Sequence, residues 1–166
     1  EQGLGCAEQY GVLDQIDFLV GTFGKAIASV GGYIICDSII RDYLINKMRP
    51  LIFSTALPPI SMAWSDFIFN KVLNMQQQRH HLAEISQYLQ QSVITKGFSS
   101  PSSSHIIPII VGESQAAIEK ACYVQQQGFY AMPVRPPTVP QNSSRLRISL
   151  TSMVQKAELE KLVECL

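Results

Sequence analysis

Residues 20–26 read VGTFGKA and place Lys25 in a glycine-containing turn directly after the apolar run of residues 16–20. Such a run predicts a buried strand. A lysine in this turn is held near a rigid core, and the glycines let a ligand approach the backbone closely. A partly desolvated amine can be neutral and nucleophilic enough to form a Schiff base with a carbonyl ligand. The turn by itself leaves a second interpretation open, in which Lys25 is an ordinary surface lysine.

Two later segments bear on this choice. Residues 53–59 (FSTALPP) join an apolar run to a helix, and residues 135–140 (RPPTVP) lead into residues 144–150 (SRLRISL). Together with VGTFGKA, and in this order, they resemble the α-oxoamine synthase family of pyridoxal phosphate (PLP) enzymes. The resemblance extends over essentially the whole chain. It implies an α/β protein with the type I fold of PLP-dependent transferases.

The resemblance covers only the C-terminal part of that family. An Asp-x-x-His segment and an earlier histidine, which hold the PLP ring in family members, have no counterpart in the 166 residues. We therefore expect a fragment that is inactive alone. Residues 1–97 are expected to be the end of the large α/β PLP-binding domain with its connecting helices, and residues 98–166 a small α+β C-terminal domain.

Composition indicates which kinds of partner and which cellular compartment to expect. A hydrophobic content of 46% is enough for a real core, and 13 basic residues balance 13 acidic ones. The balance gives no electrostatic reason to expect nucleic acid or an anionic membrane as partner. No apolar stretch approaches ~18 residues, the length of a membrane span. The scattered cysteines indicate reduced thiols, so we expect a cytoplasmic protein. They are Cys6, Cys36, Cys122 and Cys165.

The period of the apolar residues predicts the elements on either side of residue 97. Before it, strands are expected over residues 16–20, 33–36 and 51–53, and helices over residues 38–47, 60–75 and 76–95. After a loop at 97–104, strands are expected over 106–111, 129–134 and 145–150, and helices over 114–127 and 154–166. The second set predicts a small antiparallel sheet with helices on one face.

Two details of this prediction are specific enough to test. Leu82, Ile85, Leu89 and Val93 recur at helical spacing and are expected to face a core. Ser152, with Gln155 three positions later, predicts a capping box at the start of the last helix.

The resemblance implies roles for four residues that contact the cofactor. Lys25 would bind PLP covalently and move the α-proton of the amino-acid substrate. Thr22 would offer its hydroxyl to the PLP phosphate, although an ordinary turn threonine is the alternative. Ser54 and Thr55, at a predicted strand-to-helix junction, would reach the phosphate of the neighbouring subunit, which implies a homodimer with shared active sites. Without the resemblance they indicate a helix cap.

Three residues are candidates for substrate binding. Arg147 can offer a planar pair of donors to a substrate carboxylate. Arg145 is expected on the same face of the strand, and only the resemblance favours Arg147 over it. Arg135 is interpreted either as a structural brace or as a substrate contact, and Thr138 as a contact to cofactor or substrate.

The implied activity is a decarboxylating condensation of L-alanine with a pimeloyl thioester of coenzyme A or acyl-carrier protein. A sister enzyme using glycine and a short acyl-CoA is the alternative within the family. A non-catalytic fragment or assembly module is the alternative outside it. No metal site is predicted, because His80 and His81 have no acidic or cysteine partner at ligand spacing.

Overall fold

The structure is a computed structural model that describes residues 2–166. The chain forms two compact units, Glu1–Gln76 and Gln77–Leu166. The elements of the first unit are α1 (Cys6–Gln9), β1 (Leu19–Thr22), β2 (Gly32–Ile35), α2 (Ser38–Lys47), α3 (Arg49–Ile52) and α4 (Pro59–Leu73).

Strands β1 and β2 form an antiparallel hairpin, in which Leu19 pairs with Ile35 and Thr22 pairs with Gly32. A Cβ at Gly21 would lie 2.4 Å from the Tyr33 ring, so a larger residue there would force this side chain to move. Strand β1 covers Leu19–Thr22, so it lies closer to the turn than the strand predicted over residues 16–20. Its predicted burial is wrong, since Ile16, Phe18 and Val20 are exposed. Burial of a strand depends on what packs on its faces, which the residues of the strand do not determine by themselves.

Helix α2 begins and ends where the sequence predicts. The Asp37 carboxylate accepts the Ile39 N–H at 2.9 Å, and this cap starts the helix at Ser38. The strand predicted over residues 51–53 is wrong, because the segment forms the helical turn α3. Proline in the first turn of a helix has the required φ and needs no N–H, so Pro50 favours this turn.

The second unit is built on a three-stranded antiparallel sheet. Its elements are α5 (Gln76–Thr95), β3 (Ile106–Gly112), α6 (Ser114–Gln126), β4 (Met132–Val134), β5 (Ser144–Ser149) and α7 (Lys156–Glu164). The strand order is β3-β5-β4, and both pairs are antiparallel as predicted. Strand β4 is shorter than the predicted 129–134. The residues before it bond to α6 instead of to the sheet. The Phe129 N–H donates to the Val124 carbonyl at the end of α6, and the Ala131 carbonyl accepts from the Gln125 side chain.

One face of this sheet carries the core. Ile107 and Ile109 of β3 and Leu146 and Ile148 of β5 alternate with residues that are exposed or half-buried. The predicted apolar stripe of α5 is confirmed, because Ile85, Leu89 and Val93 are buried in the same cluster and Leu82 packs against it. Ala121 and Val124 of α6 and Leu159 and Leu162 of α7 complete the cluster.

The capping box of α7 forms three residues later than predicted. Gln155, not Ser152, is the N-cap residue, and its backbone N–H donates to the Glu158 carboxylate at 2.7 Å. The helix therefore begins at Lys156. The predicted domain division near residue 97 stays a prediction. The compact units divide at Gln76/Gln77 because the apolar face of α5 packs into the core of the second unit.

Candidate functional site

Lys25 lies in the turn between β1 and β2, and main-chain hydrogen bonds tie this turn closed. The Phe23 N–H donates to the Gly31 carbonyl at 3.0 Å, and the Ser29 N–H donates to the Phe23 carbonyl at 2.9 Å. The Lys25 side chain is exposed. Within residues 2–166 its amine makes no hydrogen bond or ion pair. The turn thus presents an available primary amine on a fixed backbone.

Helix α4 supports the same turn from a distant part of the sequence. The Trp64 indole N–H donates to the Ala28 carbonyl at 3.0 Å. The hydroxyl of Ser65, which is buried, lies 2.8 Å from the Ser29 hydroxyl and 2.8 Å from the Ser61 carbonyl. Sequence reasoning missed Trp64 and Ser65, since no local pattern links them to a turn 36 residues earlier.

Gly24 leaves open space next to Lys25, and Thr22 contributes a hydroxyl to the same hairpin. A Cβ at Gly24 would meet only the Ser29 carbonyl, at an ordinary contact distance of 3.8 Å, and Gly24 has no left-handed φ. Neither packing nor backbone conformation within the described residues requires glycine there. Thr22 ends β1, is exposed, and its hydroxyl makes no hydrogen bond within residues 2–166. The turn therefore presents an amine, a hydroxyl and an uncovered stretch of backbone to a ligand.

Ser54 and Thr55 lie between two helices, α3 and α4, so the predicted strand-to-helix junction is wrong. Both residues are exposed, and the Ser54 hydroxyl donates to the Leu51 carbonyl at 3.3 Å. Helix α4 begins at Pro58-Pro59, which have no backbone N–H. The donors that this segment can offer to an anion therefore include its hydroxyls and the main-chain N–H groups of residues 54–57.

Arg147 lies at the centre of the three-stranded sheet, on the face opposite the core. It pairs with Pro108 on one side and with Met132 on the other. It is exposed, and its guanidinium has no hydrogen bond or ion pair within residues 2–166. Arg145 is on the same face, as predicted, but is half-buried, and its Nε donates to the Ser143 carbonyl at 3.0 Å. Of the two, Arg147 has the unengaged guanidinium.

Arg135 and Thr138 share the loop that follows β4. The Thr138 N–H donates to the Arg135 carbonyl at 3.0 Å, which closes a turn around Pro136-Pro137. Both side chains are exposed. The Arg135 guanidinium has no partner in the part of the chain that is described, so no contact there supports its interpretation as a brace. The loop begins next to the pair formed by Val134 and Arg145.

The sequence-predicted residues thus fall into two groups. Thr22 and Lys25 share one hairpin in the first unit, with Ser54 and Thr55 in a separate segment of that unit. Arg135, Thr138 and Arg147 belong to the second unit. The expectation that His80 has no acidic partner is wrong, because His80 Nε2 lies 3.3 Å from the carboxylate of Glu84, four residues later on the helix surface. His81 Nε2 lies 2.9 Å from the Val154 carbonyl. Residues 2–166 contain no cluster of His, Cys, Asp or Glu that could hold a metal.

The aminotransferase class I and II family matches residues 4–166. The chain belongs to this family. Among curated class I and II relatives, a putative 8-amino-7-oxononanoate synthase of Pasteurella multocida is 53% identical over the whole chain. An 8-amino-7-oxononanoate synthase of Haemophilus ducreyi is 53% identical over 99% of the chain. The chain spans 43% of the length of each of these relatives.

Solved class I and II structures show the same fold. A serine palmitoyltransferase of Sphingomonas wittichii superposes on 99% of the chain with a TM-score of 0.90 at 28% identity, and the match covers 42% of that protein. Another structure, described as a serine palmitoyltransferase with PLP internal aldimine, has a TM-score of 0.90 at 26% identity over 99% of this chain and 42% of its own. The expected fold, part of a type I PLP-dependent transferase, is confirmed.

No helix within residues 2–166 combines the length and the apolar character needed to cross a bilayer.

Proposed function

We propose that the chain is the C-terminal part of a PLP-dependent 8-amino-7-oxononanoate synthase. The enzyme would condense L-alanine with a pimeloyl thioester and release carbon dioxide and the thiol carrier. The observation that carries the proposal is the unengaged amine of Lys25 on its closed turn. The 53% identity to curated relatives of that name supports the choice within the family.

Three residues of the hairpin have a defined role in this proposal, namely Lys25, Thr22 and Gly24. Lys25 would hold PLP covalently through its side-chain amine, and the same amine, when free, would take the proton from the alanine Cα. The Thr22 hydroxyl donates to the PLP phosphate. PLP, when bound, supplies an electron sink that stabilises negative charge on the substrate carbon. The open space at Gly24 lets the ligand approach the main chain beside Lys25.

The second unit would recognise the amino acid. The Arg147 guanidinium donates two parallel hydrogen bonds to the alanine carboxylate and fixes the orientation of the Cα–H bond before proton removal. Arg135 and Thr138, on the turn after β4, would contact the substrate or the cofactor. The alanine Cα would form the new bond to the thioester carbonyl carbon, while the C–S bond breaks and the carrier leaves as its thiolate. The former alanine carboxylate would then leave as carbon dioxide, and the same carbon would take up a proton in its place.

The phosphate would also receive a donor from a second subunit. Ser54 and Thr55 present exposed hydroxyls beside the main-chain N–H groups of the same segment, and we propose that they serve the site of the partner in a homodimer. The chain alone is expected to be inactive, because the residues that hold the PLP ring in the family have no counterpart in its sequence.

A sister α-oxoamine synthase is the second candidate. The superposition on serine palmitoyltransferases with TM-scores of 0.90 favours it, since that fold serves a different amino acid and acyl thioester. Parallel assays of the full-length protein with L-alanine, glycine and L-serine, each with pimeloyl, acetyl, succinyl and palmitoyl thioesters, separate the two candidates. Turnover confined to L-alanine and the pimeloyl thioester supports the proposal. Turnover with another pair alone rejects it.

Lys25→Ala in the full-length protein tests the central role. We expect loss of turnover and loss of the covalent lysine–PLP adduct that borohydride fixes, while the fold remains, because an exposed lysine contributes little to a core. Lys47→Ala is the matched control, since Lys47 is also exposed in the first unit. Peptide mass mapping locates the adduct, and an adduct at another lysine in the unmodified protein would reject the assignment.

A further inference from the structure

The loop of residues 135–143 joins β4 to β5 and carries two of the predicted site residues, Arg135 and Thr138. Both ends of this loop lie next to Arg145. Val134, which immediately precedes the loop, is paired with Arg145 across the sheet, and the last residue of the loop is two positions before Arg145 in the sequence. The contacts of Arg145 therefore bear on how the loop is held.

Two side-chain hydrogen bonds close the second end of the loop. Arg145 Nε donates to the Ser143 carbonyl at 3.0 Å, and the Ser143 hydroxyl donates to the Pro140 carbonyl at 2.7 Å. Within the described part of the chain, residues 139–143 make no turn, loop or cap hydrogen bond between main-chain groups. Asn142 has a φ of 58°, in the left-handed region that residues other than glycine adopt at a cost. Side chains therefore hold this end of the loop.

The start of β5 gives these two contacts a fixed base. Ser144 is fully buried, and its hydroxyl lies 3.1 Å from the hydroxyl of Ser114, the first residue of α6. Ser144 is also paired with Gly112 at an irregularity of the ladder between β3 and β5. A buried hydroxyl resists displacement, because loss of its partner would leave it unsatisfied. The backbone at Ser144 is thus fixed to α6 and β3, while the loop before it depends on Arg145 and Ser143.

We propose that Arg145 is a positioning residue, which holds the loop so that Arg135 and Thr138 reach the ligand bound by Arg147. This role rests on the proposed function, since it concerns residues assigned there to substrate or cofactor. The bond from Nε fixes the plane of the Arg145 guanidinium against the main chain of the loop. A loop that is ordered in advance loses less entropy when its residues bind a ligand.

Direct contact between Arg145 and a substrate is the competing interpretation, because Arg145 and Arg147 lie on one face of β5. The two interpretations differ in what they predict for Ser143. If Arg145 positions the loop, the Ser143 hydroxyl belongs to the same network, and its removal should have the same effect as removal of the guanidinium. If Arg145 contacts the substrate, removal of the Ser143 hydroxyl should have no effect.

Arg145→Met, Ser143→Ala and the double variant test the network in the full-length protein. Without PLP or substrate, the amide of Thr138 should exchange about fivefold faster in each single variant, while the amides of Leu146 and Ile148 stay unchanged. Because the two bonds act in series, the double variant should exchange no more than about twofold faster than the faster single variant. Faster exchange at Leu146 and Ile148 in both single variants would overturn the proposal, since the effect would then be general unfolding of the sheet.

Binding to the PLP-loaded protein completes the test. Arg145→Met and Ser143→Ala should each raise the KM of a substrate or the PLP dissociation constant about fivefold, with kcat within about twofold of the unmodified protein. Ser143→Thr keeps a hydroxyl and should behave as the unmodified protein does. Ser103→Ala is the matched control, because the Ser103 hydroxyl is in an exposed loop of the same unit and makes no hydrogen bond within residues 2–166.

Three results would overturn the positioning role of Arg145. They are unchanged exchange and binding in Ser143→Ala, additive effects in the double variant, and a fall in kcat alone in Arg145→Met. Failure of the proposed reaction is a separate result. It appears in the unmodified protein as absence of turnover with L-alanine and a pimeloyl thioester, whereas exchange at Thr138 and the PLP dissociation constant are measured without turnover.

Discussion

The Trp64 indole N–H donates to the Ala28 carbonyl at 3.0 Å, and the Ala28 N–H donates to the Lys25 carbonyl at 2.9 Å. Helix α4 thereby supports the turn that carries the candidate catalytic lysine. Ala28 needs such support, because its φ of 50° is in the left-handed region, which residues other than glycine adopt at a cost. The position of Lys25 thus depends on a side chain far from it in sequence.

Replacing Trp64 with phenylalanine keeps an aromatic ring but removes the indole donor. A hydrogen bond of this kind contributes about 1 kcal/mol, so amide exchange at Ala28 and Ser29 should accelerate about fivefold. Hydrogen exchange with residue-level detection measures the effect. Phe69→Leu, at an exposed position of the same helix, is the control and should leave both amides unchanged. Equal exchange in Trp64→Phe and the unmodified chain would show that the indole does not hold the turn.

Gly21 and Gly24 should respond differently to alanine. A methyl group at Gly21 would lie 2.4 Å from the Tyr33 ring, and overpacking of this type costs roughly 1 to 3 kcal/mol. The hairpin amides of Val20 and Ile34 should therefore exchange faster in Gly21→Ala. Gly24→Ala, whose methyl group has only an ordinary contact at 3.8 Å, should leave them unchanged. The double variant Gly21→Ala/Tyr33→Val should recover protection, and persistent loss there would place the strain elsewhere.

The stability of the second unit should depend on its buried core. Leu89 is fully buried, so Leu89→Ala should lower the free energy of unfolding by roughly 2 to 5 kcal/mol. Ile39→Ala, at a residue that is 79% exposed, should change it by less than about 0.5 kcal/mol. Urea denaturation of the chain, followed by the far-UV circular dichroism signal, gives both values. Similar losses in the two variants would contradict the observed division of burial.

Local sequence was sufficient for most elements of the second unit, although it misplaced the cap of α7 and the start of β4. The stripe of Ile85, Leu89 and Val93 predicts the buried face of α5, because the period of a helix is a property of neighbouring residues. The strand containing Arg145 and Arg147 was predicted for the same reason. The sequence also placed both arginines on one face, but only the coordinates show that Arg145 donates to the Ser143 carbonyl.

Predictions from local sequence failed at three places in the first unit. Apolar residues 16–20 and 51–53 both predicted strands, yet short apolar runs fit strand and helix alike, and Pro50 favours a helical turn in the second case. Burial of the hairpin could not be read from its composition, since burial depends on what packs on the two faces of a strand. The support of the Lys25 turn by Trp64 is a contact between distant residues and leaves no periodic signal.

Arg147→Lys tests the proposed carboxylate contact in the full-length protein. Lysine keeps the charge but cannot donate two parallel hydrogen bonds, so L-alanine should bind more weakly by roughly 1 to 3 kcal/mol, or about ten- to a hundredfold. Calorimetric titration of the PLP-loaded protein with L-alanine measures the change. Arg145→Lys should have the smaller effect, because the Arg145 side chain is engaged with the backbone. An unchanged affinity in Arg147→Lys would transfer the role to Arg135 or Arg145.

Shared active sites in a homodimer predict complementation between two inactive full-length variants. Lys25→Ala removes the amine, and Thr55→Trp blocks the segment proposed to reach the partner's phosphate. If each site takes Lys25 from one subunit and Thr55 from the other, a heterodimer has one site with both lesions and one site with neither. Random exchange of subunits makes about half of the dimers heterodimers, so roughly a quarter of all sites should become active.

The matched control pairs Lys25→Ala with Thr22→Val. Both residues belong to one hairpin and therefore to one site, so in a heterodimer every site carries one lesion, and activity should stay at the level of the separate variants. Native mass spectrometry verifies that subunits have exchanged. With exchange verified, recovery in the Thr55 pair and none in the Thr22 pair supports sites built across the dimer. No recovery in either pair would assign Thr55 to the same subunit's site as Lys25, because all sites would then contain a lesion.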